Sequence, residues 1–414
     1  MKFKELNLEP QLLEGLDAMG FEEATPIQEL ALPIILAGKD LIACAQTGTG
    51  KTGAFLLPIL NKITKTVPKG INTVIISPTR ELAQQIDKQV EGFGYFTGAT
   101  SCPIYGGGDG NTFEQQKKAL TLGADIIIAT PGRLLSHLGL GYAKLDHVEH
   151  IILDEADRML DMGFNDDIMR IIDYMPKVRQ TLMFSATMPP KIRQLAKKIL
   201  KSPEEINIAI SKPAEGILQG AYLVQNNEKI KLIQHLIKGK DLKSVIVFSS
   251  TKKNVSNILR GITGLGFNVK GISSDLEQDD RENALLDFKN RKTQIIVATD
   301  ILSRGIDIDS IELVINFDVP NDAEDYIHRV GRTARAATTG VALTFIDEQE
   351  VYKFKKIDEL IGDEVPKLAL PEGFAPGPRY DLSEKSFKPR QGGGGGNRRQ
   401  GGGGNRNHRN KKRD

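Results

Sequence analysis

The sequence predicts an α/β protein with two parallel-sheet domains followed by a basic, glycine-rich tail. Short apolar runs alternate with helical patterns along most of the chain, which is typical of parallel sheets covered by helices. A chain of 414 residues is too long for one ordinary hydrophobic core, so two domains are expected. Beyond residue 371 glycine, asparagine and arginine replace the apolar runs. Such a segment buries too little apolar surface to fold.

Ten apolar runs are predicted to be strands, because their near-continuous apolar character suits burial on both faces of a sheet. The first five are residues 41–44, 74–77, 126–129, 151–153 and 181–184. The second five are residues 245–248, 269–272, 295–298, 313–316 and 341–345. The weakly periodic stretch 201–215 divides the two sets. We therefore expect an N-terminal segment, a first domain, a linker, a second domain and a disordered tail at 1–29, 30–205, 206–216, 217–371 and 372–414.

Composition argues against membrane, disulfide and zinc-binding classes. Hydrophobic residues make up 40% and charged residues 26% of the chain, which is ordinary for a globular protein. No apolar run approaches the roughly 18 residues of a membrane span, and the N-terminus lacks the apolar core of a signal peptide. Cys44 and Cys102 form no CxxC pair. A reducing, cytoplasmic location is therefore expected.

The formal net charge of +2 hides an asymmetry between body and tail. Residues 385–414 contain ten Lys or Arg and one acid, whereas the rest of the chain has 45 basic and 52 acidic residues. A mildly acidic body thus carries a strongly basic tail. This distribution predicts a polyanionic partner for the tail.

Residues 45–52 have the spacing of a phosphate-binding loop between an apolar strand and a predicted helix at 53–63. Backbone N–H groups of such a loop and of the helix N-terminus point at anionic oxygens. Lys51 is expected to reach the terminal phosphates, and Thr52 to offer its hydroxyl to Mg²⁺. Ala45 stands where the strict pattern has glycine, so the match is to the relaxed form. The loop consists of Ala45, Gln46, Thr47, Gly48, Thr49, Gly50, Lys51 and Thr52.

The other unusual polar clusters each follow the carboxyl end of a predicted strand. In open α/β sheets, ligands bind in the crevice beyond those ends. We therefore expect a single site built from several segments. The clusters are residues 78–81, 130–133, 154–157, 185–187, 299–300 and 304–307.

Asp154 and Glu155 are a candidate metal ligand and a candidate base. A carboxylate at the end of a buried strand that faces a phosphate loop can hold Mg²⁺ through water. The adjacent Glu155 can then orient and deprotonate an attacking water. The structural alternative is an acidic loop, or a charge at a helix N-terminus.

Arg332 and Arg335 are a candidate pair of fingers for a γ-phosphate. They are three residues apart, so on a helical turn both would point the same way. The alternative is a basic helix face in salt bridges with Asp322, Glu324 and Asp325.

Gln28 precedes the phosphate loop and has two interpretations. Its amide can pair with an adenine edge in bidentate fashion. Taken alone, a buried glutamine that caps a helix is the simpler interpretation, and both stay open here.

Taken in order, these clusters resemble the DEAD-box family of ATP-dependent RNA helicases over residues 3–350. The short body and the tail are most similar to the bacterial RhlE-like group. The resemblance implies two tandem RecA-like domains that bind ATP, Mg²⁺ and RNA. The matching segments are Phe3, Gln28, loop 45–52, PTRELA at 78–83, Gly106-Gly107, TPGR at 130–133, DEAD at 154–157, SAT at 185–187, 304–307 and 328–335.

The resemblance also implies a role for each matching residue. Nucleotide contacts are implied for Phe3, Phe21, Gln28, the loop residues, Gly305 and Asp307, with Thr52 and Asp154 at the metal. The implied catalytic residues are Lys51, Asp154, the base Glu155, Arg332 and Arg335. Coupling of hydrolysis to strand separation is implied for Asp157, Ser185, Thr187 and His328. RNA contacts are implied for Pro78, Thr79, Arg80, Gly106, Gly107, Thr130, Arg133, Gln278, Arg281 and Thr299.

The activity implied is RNA-stimulated ATP hydrolysis with local unwinding of short duplexes or remodelling of RNA–protein complexes. RNA would be bound with little sequence preference, and ribosomal or RNA-decay complexes are compatible partners; no membrane partner is expected. Two alternatives use the same residues: an ATP-gated RNA clamp without useful unwinding, and a DNA-directed motor.

Overall fold

The computed structural model describes residues 1–45, 48–66, 68–107, 110–208, 217–273, 275–299, 311–321, 323–333, 340–362 and 364–380. Residues Met1–Pro378 form one compact unit. No helix in these ranges is both long and apolar enough to cross a membrane.

The first half of the chain folds into a parallel sheet whose described strands lie in the order β3-β4-β2-β5-β6-β1-β7. The strands are β1 Leu41–Cys44, β2 Thr73–Ile76, β3 Ser101–Ile104, β4 Ile126–Ala129, β5 His150–Leu153, β6 Gln180–Ser185 and β7 Glu204–Asn207. The helices are α1 Pro10–Ala18, α2 Pro26–Leu36, α3 Lys51–Lys65, α4 Arg80–Phe93, α5 Gly110–Leu122, α6 Pro131–Gly139, α7 Ala156–Asp161, α8 Asn165–Asp173 and α9 Pro190–Ile199. A short 3₁₀ turn, Phe3–Glu5, precedes α1.

Both faces of this sheet are buried, as the continuous apolar runs predicted. Along β2, Ile75 packs into one hydrophobic core, whereas Val74 and Ile76 pack into the core on the opposite face. Successive side chains of a strand point to opposite faces, so an unbroken apolar run supplies both cores.

The second half forms another parallel sheet, in the order β10-β11-β9-β12-β13-β8-β14 among its described strands. The strands are β8 Ile217–Leu223, β9 Val245–Phe248, β10 Val269–Ile272, β11 Ile295–Ala298, β12 Leu313–Asn316, β13 Gly340–Ile346 and β14 Lys367–Leu368. The helices are α10 Lys229–Ile237, α11 Lys252–Ile262, α12 Gln278–Lys289, α13 Ala323–Val330 and α14 Val351–Ile361. A 3₁₀ turn, Asn226–Glu228, precedes α10.

Each sheet has the same strand order when its own strands are numbered from one: 3-4-2-5-6-1-7. The two similar α/β units expected from the sequence are therefore present. In both units the carboxyl ends of the central strands meet at one edge, which is where the polar clusters were predicted to converge.

The strands that the sequence did not reveal are β3, β7, β8 and β14. β3 contains Pro103, which is tolerated in a strand at the edge of a sheet. β7 is mostly exposed and runs alongside β1 at the other edge. Its last two residues lie within the predicted 206–216 linker, so the first domain extends to Asn207. Residues 209–216 lie outside the described ranges.

The predicted tail begins too early. Residues 372–378 were expected to be disordered, yet they pack on the second domain. The Lys231 Nζ lies 4.3 Å from the centre of the Phe374 ring, and Ala375 N donates to Glu228 Oε2 at 3.0 Å. Gln225 Nε2 donates to Pro376 O at 3.1 Å. An aromatic side chain and backbone hydrogen bonds therefore anchor a segment whose composition alone suggests disorder.

Candidate active site

The phosphate loop lies between β1 and α3, as predicted. Gly50 is the N-cap of α3 with φ +94°, a conformation that favours glycine. Lys51 is the first helical residue and is only 6% exposed; its Nζ donates to Ala45 O at 2.8 Å. The Lys51 ammonium group therefore bonds the end of the loop to the carbonyl group of its first residue. The N-terminus of α3, which carries Thr52 as its second residue, is a ready anion site.

Gln28 links the N-terminal segment to this loop. Its Oε1 accepts from Thr25 N at 2.9 Å and so caps α2, and its Nε2 donates to Gly50 O at 3.1 Å. A Cβ atom added at Gly53 would lie 2.6 Å from Gln28 Nε2, so a larger residue there would displace the Gln28 amide. The helix-capping interpretation is thus correct, and the adenine contact stays a prediction.

The two predicted aromatic contacts to the base differ in their surroundings. Phe3 is 2% exposed and belongs to the core, so it supports the segment rather than presenting a face to a ligand. Phe21 is 39% exposed and packs edge-to-face on Phe93. A nucleotide contact is therefore more compatible with Phe21 than with Phe3.

Asp154 and Glu155 are both buried at the end of β5. Burial raises the pKa of Asp154 to about 7, although the nearby Lys51 opposes this rise. Glu155 has φ 51° and ψ 51°, which is the left-handed region that non-glycine residues rarely adopt. Such strain is held in place at functional sites by the surrounding structure. The Glu155 carboxylate forms a buried ion pair with Arg158 at 3.4 Å.

Asp157 connects β5 to the end of β6. Its Oδ2 accepts from Ala186 N at 3.1 Å, from Thr187 N at 3.0 Å and from Thr187 Oγ1 at 3.2 Å. Asp157 N donates to Ser185 Oγ at 3.3 Å. The predicted contacts of Asp157 with Ser185 and Thr187 are therefore present, and they are built mainly from backbone N–H groups.

Thr79, Arg80 and Gly107 lie together on the first domain. Thr79 is the N-cap of α4 and accepts from Leu82 N at 3.3 Å. Gly107 has φ +90°, and a Cβ atom added there would lie 2.0 Å from Arg80 Nη1. The Arg80 guanidinium thus rests on the bare backbone of Gly107, which links two of the predicted RNA segments. Pro78 and Gly106 are the adjoining residues of the same segments.

Thr130 is the N-cap of α6, and its N–H donates to Ile104 O at 3.0 Å. Arg133, in the first turn of α6, lies with its guanidinium carbon 4.7 Å from the centre of the Phe113 ring. Phe113 is not conspicuous in the sequence, because a lone aromatic residue in a helix is an ordinary core signal.

The second domain contributes Arg281 and Thr299. Arg281 Nη1 lies 3.3 Å from Glu81 Oε1, so α12 and α4 are joined by an ion pair. The buried Thr299 Oγ1 has no hydrogen-bond partner within the described residues.

The expectation that Arg332 and Arg335 share a helical turn stays a prediction, because Arg335 lies outside the described residues. Helix α13 ends at Val330, and Arg332 lies in the turn that follows, where Thr333 pairs with Ile311 in an isolated bridge. His328 and Arg332 are both buried.

Arg329 is a functional candidate that the sequence did not single out. It is fully buried, and its Nη1 donates to Asp318 O at 2.8 Å and to Asn316 Oδ1 at 3.4 Å. These contacts hold α13 against the end of β12.

Some predicted site residues lie outside the described part of the chain. They are Gln46, Thr47, Gly305, Asp307 and Arg335, together with the side chain of Gln278.

The sequence matches two family models, DEAD/DEAH box helicase at residues 25–195 and helicase conserved C-terminal domain at residues 228–337. It is 42% identical over 361 residues to an ATP-dependent RNA helicase CshA of Limosilactobacillus reuteri, covering 87% of this chain and 72% of that protein. It is 40% identical over 370 residues to the DEAD-box ATP-dependent RNA helicase CshA of Bacillus subtilis (strain 168), covering 89% and 74%.

Solved structures agree with the sequence relatives. The chain is similar to S. cerevisiae Dbp5 bound to RNA and ADP BeF3, with a TM-score of 0.79, 32% identity and coverage of 89% of this chain and 95% of that one. It is also similar to a DEAD box protein from the hyperthermophile Methanococcus jannaschii, with a TM-score of 0.51, 36% identity and coverage of 89% and 99%.

The fold and the site thus define a helicase with two RecA-like domains, as the motifs predicted. The chain belongs to the DEAD/DEAH box helicase family. Within that family, the relatives compared above are named CshA.

Proposed function

We propose that this protein is an ATP-dependent RNA helicase that hydrolyses ATP in an RNA-stimulated reaction and separates short duplexes locally. The observation that carries the proposal is the buried Asp154–Glu155 pair beside Lys51, at the edge where β1, β5 and β6 end. A strained, buried glutamate beside a phosphate loop has the chemistry of a hydrolytic site rather than of a simple binding site.

In this mechanism the phosphate loop and Lys51 bind the phosphates of ATP. Glu155 orients a water for in-line attack on the γ-phosphate and accepts its proton. Arg332 and Arg335 of the second domain would approach the γ-phosphate when the domains close. An arginine finger is worth about 10³–10⁵ in rate, so hydrolysis should be slow until RNA favours closure.

Thr52 and Asp154 would hold a Mg²⁺ ion. Among the described residues no group of three His, Cys, Asp or Glu side chains could bind a metal alone. Most ligands would therefore be phosphate oxygens and water, as is usual for Mg²⁺. Asp154 is buried near one cationic side chain, Lys51. A bound Mg²⁺ would add positive charge and so favour the ionised form of the Asp154 carboxylate. The ion supplies charge neutralisation at the phosphates.

Asp157 is proposed to couple hydrolysis to strand separation. It lies two residues after Glu155, and its carboxylate accepts hydrogen bonds from the backbone N–H groups of residues 186 and 187. A shift at the γ-phosphate would thus be transmitted to β6, and His328 is proposed to link the domains. RNA would be held through its phosphates and 2′-hydroxyls with little sequence preference.

The wider setting rests on composition. A basic tail fits RNA, and ribosomal or RNA-decay complexes are proposed as larger assemblies in the cytoplasm. Membership of the RhlE-like group rests on the short body and the tail alone, whereas the relatives compared above are named CshA. For the domain division we propose 30–207 for the first domain and 217–378 for the second.

The decisive experiment measures ATP turnover by the full chain with matched RNA and DNA oligonucleotides, with Lys51→Ala as the inactive control. RNA is expected to stimulate turnover strongly and DNA weakly. Stimulation by DNA but not by RNA would overturn the proposal. Strand displacement that proceeds equally with a non-hydrolysable ATP analogue would favour a clamp instead.

A further inference from the structure

Gln116 is a buried polar residue on α5 that has no role in the mechanism above. It is 2% exposed, and its amide contacts two other segments. Nε2 donates to Tyr105 O at 3.0 Å, and Oε1 accepts from Arg133 Nε at 2.9 Å. Oε1 also lies 3.1 Å from His137 Nε2. A single side chain therefore joins α5, the end of β3 and α6.

The orientation of this amide follows from its partners. An arginine Nε can only donate and a backbone carbonyl can only accept, so the two contacts of Gln116 determine which amide atom is oxygen. His137 Nε2 must then donate to the same oxygen, and its Nδ1 accepts from the Tyr142 hydroxyl. Burial lowers the pKa of His137 to about 4, with a smaller effect from Arg133, which keeps the imidazole neutral at pH 7.

Phe113 lies one helical turn before Gln116. Its ring is stacked on the His137 imidazole at 4.7 Å between centroids and 21° between planes. The Arg133 guanidinium lies 4.7 Å from the centre of the same ring. Arg133 is thus held along its edge by a hydrogen bond from Nε and on its face by a cation–π contact.

The segments joined in this way are those that the family resemblance assigns to RNA. Tyr105 immediately precedes Gly106 and Gly107, and its hydroxyl accepts from Gln84 Nε2 on α4 at 2.7 Å. Arg133 belongs to the TPGR segment. The contacts of Gln116 and Tyr105 therefore connect α4, the residue before Gly106 and α6, which carry or adjoin the three predicted RNA segments.

We propose that Gln116 and Phe113 are positioning residues that orient Arg133 for the RNA backbone. A guanidinium recognises phosphate best when its plane is held in advance, because two parallel hydrogen bonds demand one orientation. Holding Nε and one face restricts rotation of the group, so less side-chain entropy is lost when RNA binds. The inference rests on the proposed RNA function.

The test is a set of mutant cycles in the full chain: Gln116→Leu, Phe113→Leu, Arg133→Ala and the two double variants. Gln115→Leu is the matched control, because Gln115 is the exposed neighbour on the same helix. Affinity for single-stranded RNA is measured by fluorescence anisotropy with a non-hydrolysable ATP analogue. The KM for RNA and kcat of ATP turnover are measured in parallel, and thermal melts verify folding.

Gln116→Leu and Phe113→Leu are expected to weaken RNA binding by about tenfold, or about 1.4 kcal/mol. The KM for RNA should rise similarly, with kcat at saturating RNA little changed. In the Arg133→Ala background each change should have less than about a twofold effect, since residues acting through one partner are not additive. Gln115→Leu should bind as the wild type does. If Gln116→Leu does not fold, the Phe113→Leu cycle carries the test.

Wild-type affinity in Gln116→Leu and Phe113→Leu would overturn the inference. So would effects that multiply with that of Arg133→Ala. If Arg133→Ala itself binds RNA normally, the inference fails while RNA-stimulated turnover still supports the proposed function. Absence of any RNA stimulation in the wild type is the separate failure of the proposed function.

Discussion

Glu81 on α4 and Arg281 on α12 form an ion pair that joins the two sheet domains, with Oε1 and Nη1 3.3 Å apart. Each side chain is 14% exposed, so the pair is partly shielded from water and salt. Both residues belong to segments assigned to RNA by resemblance. The pair therefore connects the segments that are proposed to bind RNA in the two domains.

We expect Glu81→Ala and Arg281→Ala each to raise the KM for RNA in ATP turnover by about three- to tenfold, because a shielded pair contributes about 1 kcal/mol to closure. The exchange Glu81→Arg with Arg281→Glu should recover part of the loss, since the attraction needs only opposite charges. Glu91→Ala, on the exposed end of α4, is the control. If the KM for RNA of the exchange variant were no lower than that of the single variants, a role of the pair in closure would be contradicted. Direct contact of Arg281 with RNA would then be the remaining explanation.

Glu155→Gln should still bind ATP and RNA but lower kcat by about 10²–10⁴, the usual contribution of a general base. Glu149→Gln is a matched control at the other end of β5, where Glu149 pairs with Lys62 at 2.6 Å. Single-turnover hydrolysis and binding assays separate the two steps. Hydrolysis at the full rate in Glu155→Gln would refute the base assignment.

Gly107→Ala should weaken RNA binding by about tenfold. The added Cβ would displace the Arg80 guanidinium, and φ +90° adds backbone strain of about 1–2 kcal/mol. Gly110→Ala is the control, because a Cβ there would meet no atom within 4 Å. RNA titrations of the two variants test this, and equal affinities would argue against Arg80 as an RNA contact.

Removal of residues 381–414 should weaken RNA binding and flatten its salt dependence, because the segment contains ten Lys or Arg. For single strands the slope of log K against log salt is about −0.7 per neutralised phosphate. The melting temperature should not change. Truncation after residue 371 should lower it as well, because Phe374 and Ala375 pack on the second domain. An unchanged salt slope would rule out a role of the tail in RNA binding.

His150 should make stability depend on pH. Burial, with Lys62 nearby, lowers its pKa from 6.5 to about 4, so the folded state keeps it neutral. Between pH 6.5 and 4 the unfolded chain binds the proton more readily, and stability falls as pH falls, by about 2 kcal/mol at pH 5. Melts at pH 7 and pH 5 should differ less for His150→Gln than for the wild type. The exposed His147→Gln is the control, and an equal pH dependence in both variants would contradict the assignment.

The central strands and the polar segments that follow them could be predicted from the sequence for one physical reason. A strand covered on both faces must be apolar throughout, and the polar residues that follow it are then conspicuous. Asp154 after β5 is an example. The edge strands β3 and β7 could not be predicted in this way, because they are partly exposed and one contains Pro103.

By itself, the sequence determined the fold class, the two-domain organisation, the phosphate loop at Lys51 and the helicase family, because local spacing and strand-end position carry that information. Only the tertiary structure decided how these residues are held. Gln28 caps α2 and binds Gly50, Arg332 lies beyond the end of α13, and Gln116 joins α5 to Arg133. The contacts of Gln28 with Gly50 and of Gln116 with Arg133 span 22 and 17 positions of the chain. Their partners are set by the packing of whole elements, which no local pattern records.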